Sequence, residues 1–295
     1  MTMPFIGEIC ALSTAVVWSF SSLAFGAATL RVGAIPVNML RLLLATLFVG
    51  LFILVFRPSI DVSTRQVAFL ALSGIVGLAV GDWFLFRAYH EIGARLTMLV
   101  MSTAPAIAAF LAYVTLGERI SLQGLLGIAV TLAGIGMVLF AREGAGGKMA
   151  VSITGIAASF LAAAGQGGGL LLAKVAFQEG EINGFVATFF RLVASLIVLS
   201  PVVIVRVRTD HRLFLVDRRA LLLTITGAFL GPFLGIALSL TAVAHTSVGV
   251  AATLISTVPI VMLPISYWLG KEALNRRSLM GAATAVAGVG ILFLR

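Results

Sequence analysis

The sequence predicts an all-α membrane protein in which ten transmembrane helices form two inverted five-helix repeats. Three observations carry this prediction. Of 295 residues, 60% are hydrophobic and only 11% charged, whereas a water-facing domain carries roughly a quarter charged residues. Apolar runs long enough to cross a bilayer recur along the chain, joined by short connections. One phrase is written twice: MSTAPAIAAFLAYVTLGERI at 101–120 returns as ISTVPIVMLPISYWLGKEAL at 255–274.

The runs set the elements. At a rise of about 1.5 Å per residue, roughly 20 apolar residues span the hydrocarbon layer. Such runs lie at Ile9–Leu30, Val37–Phe56, Val67–Tyr89, Leu96–Leu116 and Leu122–Ala141. After the loop REGAGGK come Val151–Ala173, Phe185–Val205, Ala220–Ala242, Val248–Leu269 and Leu279–Leu294. None keeps the alternation of a barrel strand, and an open strand would leave backbone groups unpaired in lipid. The stretch from Phe84 to Leu96 admits a second division between the third and fourth runs.

The repeat sets the organisation. At an offset of 154, Ser102, Thr103 and Pro105 meet Ser256, Thr257 and Pro259; Tyr113 meets Tyr267, Glu118 meets Glu272 and Gly134 meets Gly288. Earlier in each half, Arg41-Leu42 answers Arg191-Leu192 at an offset of 150. The halves are expected at 1–144 and 150–295. Five spans is an odd number, so the second half must enter the membrane in the opposite sense. Inverted halves are how many secondary transporters build two interchangeable conformations, and a carrier cycling by alternating access is the expected function.

Charge and cysteine content exclude other classes. The net charge of +9 sits mostly in short loops, RVRTDHRLFLVDRR at 206–219 foremost. It predicts anionic membrane lipid as a partner and no nucleic acid, because no basic stripe or reading helix accompanies it. By the positive-inside rule, the loop charge places both termini outside. The opening MTMPFIGEIC lacks a basic segment before its apolar run and reads as a retained span. Cys10 is the single cysteine. No metal-ligand spacing, nucleotide loop or nucleophile–base pair is present, so neither enzyme activity nor a cofactor is expected.

Polar residues inside the runs are the candidate site, because a charge in mid-membrane is costly without a partner or a wet cavity. Asp82, in VGLAVGDWFLFRAY, reads either as a cavity acid for a cation or proton, or as one member of an ion pair with Arg87 or a basic residue on another helix. Tyr89 lies seven residues on, along the same face. Arg41 and Arg191 hold matching places and read either as arginines that snorkel to the headgroups or as an anion-binding pair. Gln166 among glycines and Trp18 in VVWSFSS read as cavity wall or as helix packing. Pro105 and Pro259 remove a helix hydrogen bond and free the carbonyls of Met101 and Ile255. The hydroxyls of Ser102, Thr103, Ser256 and Thr257 could satisfy that backbone or meet a ligand. Glu118 and Glu272 read as anchors of the turns that follow.

The two long copies, STAPAIAAFLAYVTLGERISLQGLLGIAVTLAGIGMVL and STVPIVMLPISYWLGKEALNRRSLMGAATAVAGVGIL, resemble the drug/metabolite transporter superfamily and, within it, the EamA-like ten-helix transporters. VVWSFSSLAF and the arginine-leucine pair at 41–42 agree, and the resemblance covers essentially the whole chain. It implies the drug/metabolite transporter fold and a multi-pass carrier in the plasma membrane, the inner membrane of a bacterium. Its substrate would be a small polar metabolite, such as an exported amino acid, with protons as a further partner and a monomer or weak homodimer as the assembly. Organic anions or phosphorylated metabolites are the alternative cargo, and a non-transporting lipid-handling or scaffold protein is the alternative of another class. The chain departs from the resemblance in two places: the second half offers Gln166 and glycines where tryptophan is common, and family members usually keep both termini in the cytoplasm.

Overall fold

The computed structural model describes residues 5–101, 103–117, 121–143, 152–209, 217–268 and 276–293, and they are α-helical apart from two π-helical segments and short turns. Helix is what the sequence and lipid together require, since each segment must satisfy its own backbone. The first half contains α1 (Ile6–Val32), α2 (Ala34–Phe56), α3 (Thr64–Gly74), a π-helical segment (Ile75–Gly81), α4 (Asp82–Met101), α5 (Ala104–Leu116) and α6 (Leu122–Glu143). The second contains α7 (Ile153–Gln178), α8 (Gly184–Thr209), α9 (Arg218–Ala228), a second π-helical segment (Phe229–Gly235), α10 (Ile236–His245), α11 (Val248–Ile255), α12 (Val258–Trp268) and α13 (Arg276–Phe293). The π-helical segments stand 154 residues apart, the same offset as the repeated phrase. Six stretches are long and apolar enough to cross a membrane: Ile6–Val32, Ala34–Phe56, Thr64–Ile92, Ile153–Gln178, Gly184–Pro201 and Arg218–His245. Four more apolar helices among the described residues are shorter. The protein is therefore an all-α, multi-pass membrane protein.

Local chemistry sets the starts and stops. Ser63 and Gln66 form a reciprocal capping box at α3, with Gln66 N–H donating to Ser63 Oγ at 3.1 Å and Ser63 N–H donating to Gln66 Oε1 at 2.8 Å. Ser152 Oγ accepts from Gly155 N–H at the start of α7, and Asp217 accepts from Arg219 and Ala220 N–H at the start of α9. Gly33, at φ 88°, makes the tight turn from α1 into α2.

Between the third and fourth runs the structure departs from the expected division. The chain stays helical from Thr64 through Met101, and the next helix begins at Ala104, preceded by a turn at Thr103. In the second half the matching stretch is broken at Thr246, which is extended, with Ser247 preceding α11. The positions matching Thr246 and Ser247 hold Ile92 and Gly93, which lack hydroxyls, and Glu91 accepts from Ser152 Oγ at 2.9 Å and Thr154 Oγ1 at 2.6 Å at the start of α7. Hydroxyls like those of Thr246 and Ser247, by contrast, compete for backbone hydrogen bonds and favour a break.

Packing interleaves the halves. Helix α1 lies against α9, the second π-helical segment, α10, α11 and α12, while α7 lies against α3, the first π-helical segment, α4 and α5. Helix α2 packs on α8, α5 on α11 and α6 on α13. Close approach depends on small residues. A methyl group on Gly134 would stand 2.3 Å from Ala285 N, and one on Gly288 would stand 2.4 Å from Thr131 N. Phenylalanines fill the seam between α2, α8 and the second π-helical segment, with Phe52 stacked on Phe185 at 4.0 Å and Phe233 tilted against Phe185 at 5.4 Å. The end of α1 meets the start of α9 through Arg31–Asp217 at 2.6 Å, and the end of α7 meets the start of α3 through Arg65–Glu179 at 2.9 Å.

Two outcomes follow from these contacts. Gly134→Leu drives a side chain into the backbone of α13 and should cost about 1–3 kcal/mol; it should lower the melting temperature in detergent. Gly136→Leu, where nothing lies within 4 Å, should leave it unchanged. At Asp217, the Arg31 hydrogen bond, with help from the Ala220 N–H, holds the carboxyl below the usual aspartate range. A lowered pKa contributes stability above the unfolded value of about 3.9 and loses it as pH falls through the folded value. The melting-temperature gap between wild type and Asp217→Asn should thus be full at neutral pH and close in acid.

Candidate functional site

A cavity with about 990 Å³ of empty volume, part of it continuous with the exterior, lies where α1, α2, α4, α7, α11 and the second π-helical segment meet. Its wall is mostly apolar and aromatic, with Trp18, Phe25, Leu78, Phe86, Leu170 and Ile236 prominent. The polar lining comes from Ser21, Ser22, Arg41, Asp82, Tyr89, Gln166 and Ser256. Both halves contribute, and a pocket with a large apolar wall and few convergent polar groups is the usual form of a small-molecule site.

The polar centre is an ion pair. Arg41 Nη2 donates to Asp82 Oδ2, and Arg41 Nε donates to Asn38 Oδ1 at 2.9 Å. Both charged side chains are at least nine-tenths buried. The guanidinium also lies over two rings, 5.0 Å from the Phe86 centroid and 5.8 Å from that of Phe25. Those rings pack edge to face at 5.7 Å, and Phe86 meets Tyr89 the same way at 5.8 Å. Helical spacing builds the arrangement: Asn38 precedes Arg41 by three residues, and Phe86 follows Asp82 by four. The carboxylate and the rings together compensate a charge that hydrocarbon would not hold.

Arg191 differs from Arg41 despite its matching place. It is 3% exposed, and its Nε and Nη1 have no hydrogen-bond partner among the described residues. Its Nη2 lies beside the glycines of two helices: a methyl group on Gly77 would stand 3.1 Å from it, and one on Gly169 3.4 Å. The reason for the difference is in the sequence, because the residue 154 positions after Asp82 is Ile236. The second half carries the arginine without the acid.

The remaining candidates separate. Trp18 lines the cavity and its ring closes on Gly235, where a methyl group would stand 2.2 Å from Trp18 Nε1. Gln166 and Ser256 line the cavity, and Ser256 Oγ donates to Ala252 O at 2.9 Å. Thr103 Oγ1 donates to Val100 O and Thr257 Oγ1 to Leu254 O, both at 2.7 Å. These two threonines thus serve their own backbone and are absent from the cavity lining. Pro105 and Pro259 are the second residues of α5 and α12, where a missing N–H costs no helix bond. The bend expected inside one continuous span is instead a break, since α4 ends at Met101 and α11 at Ile255. Ser102, Glu118 and Glu272 lie outside the described residues. Sequence reasoning missed Asn38, Phe25, Phe86, Ser21 and Ser22, and only the helical spacings around Arg41 and Asp82 could have pointed to the first and third.

Comparison with known proteins agrees with this architecture. Residues 5–140 and 153–294 each match the model of the EamA-like transporter family. The chain is 24% identical over 287 residues to a protein of Archaeoglobus fulgidus described as an uncharacterized transporter, covering 97% of each chain. A protein of known crystal structure superposes with a TM-score of 0.75 at 18% identity, over 97% of this chain and 94% of the other. That likeness is one of fold.

Asp82→Ala would leave the Arg41 charge buried with Asn38 alone as acceptor, which should cost about 3–5 kcal/mol. Replacing both members, Arg41→Met with Asp82→Leu, should recover most of that loss. Denaturant unfolding in mixed micelles measures both.

Proposed function

This chain belongs to the EamA-like transporter family, and from that premise we propose that it is a secondary transporter carrying a small polar metabolite by alternating access. The observation that carries the reading is the cavity, whose wall draws on both halves and whose centre is a buried ion pair. The halves, 1–144 and 150–295, act as inverted repeats. Support comes from the shared 154-residue offset of the π-helical segments and of the helix ends at Met101 and Ile255. Ion pairs at Arg31–Asp217 and Arg65–Glu179 join corresponding helix ends, and in inverted halves such junctions lie near opposite membrane faces. The membrane is the plasma membrane, or the inner membrane in a bacterium, and the direction is export.

A cavity at Ser256 favours a carrier over a scaffold or lipid-handling protein, for which a dry centre is expected. Between cargoes, one observation favours the organic anion over the amine: Asp82 is already held by Arg41, whereas Arg191 keeps unpartnered donors. Proton coupling through Asp82 is a further part of the proposal, tested by the pH dependence of transport in Asp82→Asn.

Counterflow of labelled amino acids and organic acids in proteoliposomes tests the carrier. Ser256→Trp fills the cavity and should reduce flux on the order of tenfold or more with little change in melting temperature. Undiminished flux through the filled cavity would place the path elsewhere.

A further inference from the structure

Resting on the carrier reading, we propose that the cargo is a monocarboxylate with an apolar body, that its carboxylate binds Arg41, and that Arg191 receives the Asp82 carboxylate it displaces.

Charge balance is the first argument. The cluster holds two guanidinium groups and one carboxylate, and no second acid pairs with Arg191 among the described residues. One positive charge is therefore without an acid, and both guanidinium groups are buried. A monoanion restores neutrality; an amine would raise the excess to two, and like charges at low dielectric repel strongly.

Donor geometry is the second. Arg41 lines the cavity and is reachable by a ligand, whereas Arg191 does not line it and is not. Arg191 sits behind the wall, between the first π-helical segment and α7, with glycines 77 and 169 in place of side chains. It is thus placed for an acid belonging to the protein, and Asp82 is the acid that directly follows the segment whose Gly77 lies beside Arg191 Nη2. Unpaired buried N–H groups are expensive, and Asp82 would satisfy them once a ligand carboxylate takes over Arg41.

Local structure is the third. Asp82 directly follows the π-helical segment Ile75–Gly81. A π-helical turn is wider than an α-turn by one residue, so rewinding part of it rotates the next side chain about the helix axis. Glycines at 74, 77 and 81 bring this segment close against α8 and α7: a methyl group on Gly74 would stand 2.2 Å from Arg191 O and one on Gly81 3.3 Å from Gly165 Cα. The aromatic wall of Trp18, Phe25 and Phe86 supplies the surface for the cargo's apolar body.

Isothermal titration of the full-length protein in micelles, with hydrocinnamate, phenylalanine and phenethylamine as probes, tests the site, and proteoliposome counterflow of the same probes tests the carrier. Hydrocinnamate should bind and phenethylamine should not. Asp82→Asn, which keeps an acceptor for Arg41, should tighten hydrocinnamate on the order of tenfold by removing the internal competitor. Arg191→Gln should weaken it by a similar factor, and the double variant should return to wild-type affinity or better, because no displaced acid then needs a partner. A purely structural Arg191 would leave the double variant as weak as the single one, which overturns the hand-over. Phenethylamine binding or moving in place of hydrocinnamate overturns the carboxylate site while leaving the carrier reading intact. Hydrocinnamate that binds with this variant pattern but does not move supports the site and overturns the carrier reading. Absence of binding by all probes overturns the proposed site.

Discussion

Arg41 carries a full positive charge into a bundle made of apolar helices, and much of the centre is arranged around holding it there. Asp82 supplies the opposite charge, Asn38 a neutral acceptor, and Phe25 and Phe86 the faces of two rings. Each comes from a helix that must sit at one height and one rotation for the contact to exist. The pair therefore fixes α2 against α4 as firmly as it fixes a charge, and the cavity is the space left around it. Buried pairs of this kind are poor contributors to stability compared with apolar packing, so their presence in a site-lining position points to recognition.

The departure from symmetry is as informative as the symmetry. The halves share π-helical segments and arginines at matching places, but only the second is broken at Thr246, and only the first has an acid to meet its arginine. Ile236 occupies the other acid's position. Trp18 likewise fills space against Gly235, while the corresponding approach in the other half brings Gly165 against Gly81, where a methyl on Gly165 would stand 2.7 Å from the Gly81 Cα. The result is a cavity whose one ion pair, Arg41 with Asp82, comes from the first half, while the second half contributes the uncharged polar residues Gln166 and Ser256.

Packing differs between the α6–α13 seam and the cavity. The α6–α13 pair is locked backbone to backbone by Gly134 and Gly288, a seam that small residues make possible in lipid. The cavity wall combines the unbroken helices α1, α2 and α7 with interrupted elements, the second π-helical segment and the helix starts at Ala104 and Val258. At those starts the Thr103 and Thr257 hydroxyls donate to Val100 O and Leu254 O, each of which also accepts the same threonine's N–H.

Composition and periodicity by themselves determined the solvent, the helical class, the repeated phrase and most span positions, because lipid leaves a backbone of this hydropathy no other regular form. They also named Trp18, Arg41, Asp82, Tyr89, Gln166 and Ser256 as polar or aromatic intrusions that need a reason, and all six line the cavity. Which of two readings holds at each was decided only by tertiary structure. In the sequence Asp82 reads either as facing a cation or as facing a neighbouring helix, and the choice depends on where α2 lies, which no local pattern encodes. Thr103 and Thr257 carry the same residue type as a ligand-binding hydroxyl, but their rotamers return them to their own backbone. The helix stays unbroken across 90–95 where Glu91 accepts from Ser152 and Thr154 at the start of α7, a contact between residues far apart in sequence. The different fates of Arg41 and Arg191, by contrast, trace to Ile236 at the second acid's position. Sequence tells which groups lipid will not tolerate alone; only the packing of one half into the other tells which group answers them.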